Sequence, residues 1–333
     1  MKSIAIFNNK GGVGKTTLLC NLAAFFATKK NKKILVIDAD PQCNTSTYCL
    51  TDEDFLDVYY DPKKFTINDL FVSLKNRGTY QPKPQFIKSQ NFGFDLLPGN
   101  PKLALQEDFL ASDWRDVLSS EIRGTRTVMV FAKLLQQCTE YDYVFFDMGP
   151  SLGAINRSIL IGCDFFITPL SSDIFSILAL ENIGNSIFSW KKIFNENIAK
   201  IPEDQRDGLE NMKLTSDILF LGYVNQQYIT KTAHGNQRIV RAYENIIKRI
   251  PEKISKNLIQ KINLNTTKIS DYNIGSIPNF YSLIPMSQTA HKPLFLLTNE
   301  DGVVGAHYQK VKDFSALMQS IVAKIEQNIN GVL

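Results

Sequence analysis

The sequence lacks the features that mark an exported, membrane-spanning or thiolate-metal protein. The cysteines form no C-x-x-C pair, and no histidine lies at zinc-ligand spacing from them. They are Cys20, Cys43, Cys49, Cys138 and Cys163. No run of about 18 apolar residues occurs, and the first apolar run, Ile4 to Phe7, passes directly into polar residues. These absences predict buried thiols in a reducing cytoplasm and a soluble protein without membrane insertion.

A strong charge of either sign is also missing. Lys and Arg number 37 against 33 Asp and Glu, a net charge of +4. So small an excess does not indicate nucleic-acid binding unless a local basic patch exists. No internal repeat or low-complexity tract occurs, and the 44% hydrophobic content is that of an ordinary globular chain.

Short apolar runs alternate with helical patterns along the chain, which predicts an α/β fold with a mostly parallel, twisted sheet flanked by helices on both faces. The runs are Ile4 to Phe7, Ile34 to Ile37, Phe94 to Leu97, Val144 to Phe146, Phe165 to Ile167, Ile218 to Val224 and Tyr281 to Ile284. Their continuous apolar character is typical of strands covered on both faces. In such sheets the ligand site lies at the carboxyl ends of the strands.

The domain prediction is a single elaborated α/β domain over residues 1–333. Three polar segments, 51–91, 196–214 and 251–279, interrupt the strand and helix pattern. We expect them to be insertions on the surface of the domain, where a protein of this kind acquires its individual features.

A glycine-rich loop with sequence NNKGGVGKTT follows the first apolar run and precedes a helical pattern. Its glycines allow the backbone to direct N–H groups at phosphate oxygens, and the helix start adds its dipole. Lys15 can reach the β- and γ-phosphates, while the Thr16 hydroxyl can bind magnesium. The predicted nucleotide-binding residues are Gly11, Gly12, Val13, Gly14, Lys15, Thr16 and Thr17.

The loop resembles the deviant Walker A motif of the ParA/MinD superfamily of P-loop ATPases, and most of all that of Soj-like ParA partition ATPases. The second, signature lysine of that family matches Lys10. The resemblance implies ATP and Mg²⁺ as cofactors. It also implies an ATP-dependent homodimer in which Lys10 contacts the nucleotide of the partner subunit. From the residues alone, Lys10 could equally be a solvated loop charge.

Two aspartates follow the second apolar run in the segment VIDADPQCNTS. Asp38 and Asp40 are two residues apart at a strand end, so both can face the phosphates. The segment resembles switch I of the family, which implies that Asp40 positions the attacking water and Asp38 supports the magnesium shell. From the residues alone, Asp40 and Pro41 could merely begin a turn.

A third aspartate ends the apolar run of YDYVFFDMGPSLG. This segment resembles Walker B and switch II, which implies that Asp147 holds magnesium through water. Catalysis is thus assigned to Lys10, Lys15 and Asp40, and the metal to Thr16, Asp38 and Asp147. Gly149 replaces the first proline of the D-x-P-P pattern of the family, which predicts a looser switch II.

Other enzymes with this loop are less consistent with the sequence. An iron-protein reductase needs a cluster cysteine shortly after Walker B, and Cys163 is too distant. A bacterial tyrosine kinase needs a C-terminal tyrosine cluster, where only Tyr308 occurs. A MinD-like protein needs a basic amphipathic helix at its end. The apolar positions from Val311 to Ile325 have helical spacing but few basic neighbours, which favours a helix packed on the sheet.

A local basic patch does occur in the predicted helix from Asn236 to Ile250. Its basic residues fall on one face and its apolar residues on the other, an arrangement suited to DNA phosphates without base readout. The candidate DNA-binding residues are Arg238, Arg241, Lys248 and Arg249 on this face, together with Lys231, which precedes the segment. The alternative is a plain solvated face. The IPRN-type loop of the family is matched by Ile284 to Ser287, which lacks the arginine.

The resemblance therefore implies a cytoplasmic ParA-like ATPase that uses hydrolysis as a switch in DNA partition or cargo positioning. It would be nucleoid-associated if it binds non-specific DNA, and a ParB-type protein would stimulate it. Two alternatives remain open. One is a nucleotide-switched subunit that controls an effector encoded nearby, for example in defence, and the other is a MinD-like spatial regulator.

Overall fold

The protein was analysed as a computed structural model that describes residues 1–80, 83–171, 173–206, 208–209, 212–228, 230–233, 236–239, 246–263 and 268–332. The strands are β1 (Lys2–Ile6), β2 (Ile34–Ala39), β3 (Ile87–Ser89), β4 (Phe94–Leu97), β5 (Tyr143–Met148), β6 (Phe165–Ser171), β7 (Leu219–Tyr228), β8 (Thr230–Ala233), β9 (Asn236–Ile239) and β10 (Asn273–Pro278). 

Helices occupy most of the remaining described chain. The α-helices are α1 (Lys15–Lys29), α2 (Asn44–Cys49), α3 (Asp52–Tyr60), α4 (Asp69–Arg77), α5 (Glu107–Leu118), α6 (Ile122–Val128), α7 (Val130–Gln136), α8 (Ala154–Gly162), α9 (Ile174–Ile198), α10 (Ile250–Ile254), α11 (Leu283–Thr289) and α12 (His307–Asn330). Short 3₁₀ turns occur at Pro101–Gln106, Glu203–Gln205, Leu294–Leu296 and Asn299–Asp301, and a π-helix at Ser255–Asn263.

Eight strands form one twisted sheet in the order β10-β7-β6-β1-β5-β2-β4-β3. β1 lies inside the sheet and pairs in parallel with β5 and β6, whereas the edge strand β3 is antiparallel to β4. The predicted α/β class with a mostly parallel sheet is confirmed. Because the strands run in parallel, the carboxyl ends of β1, β2 and β5 meet at one edge of the sheet.

The two faces of the sheet are covered by different helices. Successive side chains of a strand point to opposite faces. Ile4 and Ile6 accordingly pack with α1, α2 and α12, whereas Ala5 and Phe7 pack with α4, α7, α8 and α9. The side chains of these three β1 residues and of Phe7, directly after the strand, are fully buried, which explains why this run is apolar without alternation.

The C-terminal helix α12 packs on the sheet, as predicted. Phe314, Met318, Ile321 and Ile325 are buried in the core shared with α1. Gly275 of β10 allows this contact, since a Cβ at that position would lie 2.8 Å from the Ile321 side chain. The apolar face of α12 is therefore not available to a membrane surface. None of the described helices combines the length and the apolarity that crossing a bilayer requires.

The last predicted strand was wrong. Residues 281–284 do not form a strand: Tyr281 has a φ of 45°, and α11 begins at Leu283. The strand at this edge is β10, which lies before this run and ends in Ile277 and Pro278. The glycine and the proline of β10 made it hard to recognise as a strand in the sequence. An edge strand tolerates such residues, whereas a central strand excludes them. β10 lies in the predicted insertion 251–279, so the end of that segment belongs to the sheet.

The predicted helix from Asn236 to Ile250 was wrong over its first residues. Residues 236–239 form β9, which pairs with β8 in an antiparallel hairpin. Gly235 and Asn236 are turn-forming residues in the sequence, a signal that favours a hairpin over a helix at this position. Among the described residues that follow β9, 246–247 are helical and a turn at 248–249 leads into α10.

Candidate functional site

The phosphate loop has the backbone that its glycines predict. Gly12 and Gly14 have φ values of 72° and 74°, in the left-handed region where a side chain is strained. No side chain caps the start of α1, and no acidic residue lies in its first turn. The first N–H groups of α1 are therefore available to an anion, and the helix dipole favours a negative charge at this position.

A cavity of about 570 Å³ opens in front of this loop. Its lining residues come from the phosphate loop and the start of α1, from the segment between β2 and α2, from α2, from the segment after β5, and from the end of α11 and the residues just after it. They are Gly11, Gly12, Gly14, Lys15, Thr16, Thr17, Asp40, Gln42, Asn44, Thr47, Tyr48, Pro150, Gln288 and His291. Most of the predicted nucleotide residues thus meet in one cavity, while the Val13 side chain is buried in the interior.

Lys15 lies at the base of the cavity. Its Nζ is 3.3 Å from the carbonyl oxygen of Lys10, so the side chain bends back over its own loop. Burial lowers the pKa of Lys15, and the charges of Asp147 and Asp40 oppose this shift. The position suits a cation that binds phosphate oxygens of a ligand held by the same subunit.

Lys10 has a different environment. Its ammonium group forms an ion pair with Asp173 and donates a hydrogen bond of 3.1 Å to the Ser171 hydroxyl. Its backbone N–H donates to the side chain of Asn8, which in turn donates to the carbonyl oxygen of Pro169. Lys10 is thus held at the carboxyl end of β6 within its own subunit, and its role across a dimer stays a prediction.

Asp147 is fully buried next to Thr16. Its Oδ2 accepts hydrogen bonds of 2.7 Å from the hydroxyls of both Thr16 and Thr45. Its Oδ1 is buried without a hydrogen-bond partner among the described residues. Burial raises the pKa of Asp147 to about 6, although the two hydroxyls lower it. A buried carboxylate oxygen beside a threonine hydroxyl fits the oxygen ligands and shell partners that Mg²⁺ requires.

Asp38 is the register partner of Asp147 on the neighbouring strand. Its Oδ2 accepts hydrogen bonds from the backbone N–H and the hydroxyl of Ser46, at 2.8 and 2.6 Å. Burial and the charge of Asp147 raise the pKa of Asp38 to about 7. These contacts anchor the start of α2. Asp38 is absent from the described cavity lining, and its predicted part in the magnesium shell stays a prediction.

Asp40 faces the cavity from the other side. Its Oδ1 accepts a hydrogen bond of 3.0 Å from the backbone N–H of Gln42. A Cβ on Gly149 would lie 3.4 Å from this carboxylate, so the glycine lets the switch II backbone approach it closely. Pro150 of the same segment lies close to the phosphate loop, since a Cβ built on Gly11 would be 3.9 Å from its ring.

Switch II is restrained by a residue that the sequence analysis did not identify. The buried Asn156 side chain donates to the carbonyl oxygens of Gly149 and Ser151, at 2.8 and 2.7 Å. It bridges both sides of Pro150 from the first turns of α8. The looser loop predicted from Gly149 is therefore tied down by hydrogen bonds from Asn156.

The candidate DNA-binding residues are not gathered on one helix. Lys231 and Arg238 are register partners in the β8–β9 hairpin. Lys248 and Arg249 are exposed, while their neighbours Ile246 and Ile247 pack against the core. Arg241 lies outside the described residues. The expected pattern of apolar residues inward and basic residues outward thus holds for residues 246–249.

A family model described as an AAA domain, AAA_31, matches residues 1–200. The chain belongs to this family. Relatives with ParA-type names confirm that this AAA_31 chain lies in the ParA/MinD superfamily. A ParA family virulence plasmid protein, pGP5-D of Chlamydia psittaci, is 26% identical over 280 residues, covering 78% of this chain and 99% of the relative. Soj of Bacillus subtilis is 29% identical over 199 residues, covering 59% and 69%.

An uncharacterised Pseudomonas putida protein is 30% identical over 186 residues, and the match covers 56% of this AAA_31 chain but only 62% of the relative. Among solved structures, protein DIP2308 of Corynebacterium diphtheriae has a TM-score of 0.74 at 26% identity, with 99% of each chain covered. A Cyanothece McdA variant in complex with ATP has a TM-score of 0.61 at 16% identity, covering 98% of this chain and 96% of McdA. At that identity McdA shows the fold alone.

Proposed function

We propose that this protein is a magnesium-dependent ATPase of the ParA type, which dimerises when it binds ATP and separates after hydrolysis. One observation carries the proposal: a phosphate-binding loop, a cavity-facing carboxylate and a carboxylate with a free buried oxygen meet at one sheet edge. These groups are Lys15, Asp40 and Asp147. The ParA-type relatives and the fold shared with an ATP-bound McdA support the choice of ATP.

Different residues of the site would bind the phosphates, the metal ion and the attacking water. The backbone N–H groups of the loop and Lys15 would hold the β- and γ-phosphates, and Thr16 with Asp147 would hold Mg²⁺. When bound, the metal supplies positive charge to the phosphate oxygens. Asp40 would orient a water for in-line attack, since it faces the cavity within reach of the switch II backbone. The cavity is large enough for a nucleotide.

Asp40→Ala is expected to preserve ATP binding while hydrolysis falls by about 100-fold or more, since general base or water positioning contributes roughly 10²–10⁴-fold. The ATP-bound dimer should then persist. Sizing chromatography with ATP and a phosphate-release assay measure both effects. Asp204→Ala, at an exposed site in a 3₁₀ turn, is the control. Wild-type turnover and an unchanged monomer fraction in Asp40→Ala would remove Asp40 from the mechanism.

Non-specific DNA binding is the second part of the proposed function, supported by the exposed pair Lys248 and Arg249. Reversing both to Glu is expected to weaken ATP-dependent binding to any duplex and to lower the salt slope by about 2, because each phosphate contact contributes about one unit. Filter binding at several salt concentrations measures this. The control reverses Lys29 and Lys33, which are exposed at the end of α1 and in the connection to β2.

Two results would change this part of the proposal. An equal loss in both double variants would mean that net charge, and not the 246–249 segment, governs binding. If the wild type bound no DNA with ATP at low salt, the chain would instead fit a nucleotide-switched subunit that controls an effector protein. A pull-down with ATP and with ADP would then identify the partner, whether a stimulator of ParB type or an effector.

A further inference from the structure

Thr45 occupies a position that the proposed function does not yet use. It is the second residue of α2, and it is fully buried. Its hydroxyl donates a hydrogen bond of 2.7 Å to Asp147 Oδ2, across 102 residues of sequence. Thr16 donates to the same oxygen at the same distance. Switch I and the phosphate loop thus bind one carboxylate oxygen together.

The two hydroxyls fix how Asp147 is oriented. A carboxylate oxygen has about two lone-pair sites, so Oδ2 is saturated by its two donors. The carboxylate cannot turn about its last bond without breaking at least one of these bonds. Oδ1 is the oxygen that remains without a partner in the described part of the chain. The direction in which Oδ1 points is therefore fixed by Thr16 of the phosphate loop and by Thr45 of α2 together.

Two consecutive residues at the start of α2 form hydrogen bonds to aspartates at the ends of two neighbouring strands, β5 and β2. Thr45 binds Asp147 of β5, and Ser46 binds Asp38 of β2. Asp38 and Asp147 are register partners, so α2 lies across the ends of both strands. Asp40 lies in the short connection between β2 and α2. The position of α2 consequently determines where the connection that carries Asp40 can lie.

We propose that Thr45 is a positioning residue of the magnesium site, which holds Asp147 so that its free oxygen faces the cation and ties switch I to that orientation. The inference rests on the proposed function, because it requires that Mg²⁺ binds beside Thr16 and Asp147. Thr45 itself need not touch the metal. It acts through Asp147, as partners of metal-site carboxylates do in other proteins.

The test uses Thr45→Val, which removes the hydroxyl and preserves the shape of the side chain. The ADP affinity of each variant is measured by calorimetry in EDTA and again in excess Mg²⁺, and the ratio of the two affinities is the magnesium increment. In Thr45→Val this increment is expected to fall about 10- to 100-fold, the usual cost of losing an outer-shell partner. Affinity in EDTA should stay close to that of the wild type, since the substitution leaves the residues of the phosphate loop unchanged. Thr45→Ser should restore the increment.

Thr125→Val is the matched control. Thr125 is also fully buried in a helix, α6, which packs against α5 and α7, and its hydroxyl donates to the Glu121 carbonyl oxygen at 3.0 Å. The magnesium increment of Thr125→Val should equal that of the wild type. Thr45→Ala supplies a second variant without the hydroxyl, and thermal unfolding shows that each protein is folded.

Two outcomes would overturn the inference: a wild-type increment in Thr45→Val, or an equal loss of ADP affinity with and without Mg²⁺, which would mean a packing role. Failure of the proposed function has a different result. In that case the wild type itself would show no magnesium increment, or would bind no ADP.

Discussion

Lys15→Ala is expected to abolish nucleotide binding, with ATP affinity reduced more than about 100-fold, because charge-assisted hydrogen bonds contribute roughly 1.5–3 kcal/mol each and Lys15 would make them to two phosphates. The structure strengthens this expectation. Lys15 is 9% exposed and lies over its own loop, so it is placed before any ligand arrives. Calorimetry with ATP and with ADP measures the loss.

Lys29→Ala provides the control for Lys15→Ala, since Lys29 is exposed in the last turn of the same helix. The control should bind ATP as the wild type does. An unchanged ATP affinity in folded Lys15→Ala protein would contradict the phosphate-loop assignment, and the cavity in front of the loop would need another ligand.

Lys10→Ala is expected to leave ATP binding by the single subunit nearly intact, while it eliminates ATP-dependent dimerisation and most turnover. A lysine brought across the interface would offset negative charge on the transferring phosphoryl group, as an arginine finger does. A finger of this kind contributes about 10³–10⁵-fold to the rate. In the single subunit Lys10 pairs with Asp173, so we expect dimerisation to require that this ion pair opens.

Asp173→Asn separates the contact that Lys10 makes in its own subunit from the role proposed for it across the dimer. This variant removes the carboxylate that holds Lys10 but keeps the lysine, so ATP-dependent dimerisation should be retained or strengthened. If Lys10 served only to hold β6 and the loop together, both variants would show the same defect. Light scattering with ATP and with ADP, together with a phosphate-release assay, distinguishes these results. A Lys10→Ala protein that dimerised and hydrolysed as the wild type does would exclude the cross-subunit role.

The strand prediction succeeded in the interior of the sheet and failed at its edges. β1, β2 and β5 are covered on both faces, so their apolar runs are unambiguous in sequence. β3 and β10 are edge strands, and the hairpin of β8 and β9 lies outside the main sheet. Such strands need few apolar residues and tolerate glycine and proline, so the apolar pattern is too weak to reveal them.

The phosphate loop was determined by the sequence alone. Its glycines, Lys15 and Thr16 lie within one continuous strand, turn and helix, so local conformation brings them together. Asp40 and Asp147 could also be placed, because strand ends in a parallel sheet meet at a common edge.

Other partners of the site were decided by the tertiary structure only. Asp173 reaches Lys10 across 163 residues of sequence, and Thr45 reaches Asp147 across 102. Asn156 binds a loop only a few residues away, yet an isolated asparagine in a helix gives no signal of that contact. Threonine, asparagine and aspartate occur throughout any globular sequence. What distinguishes these three is contact with a functional group: Thr45 and Asn156 are buried beside it, and Asp173 is partly exposed. Such contacts follow from how the elements pack, not from the residues that precede or follow each side chain.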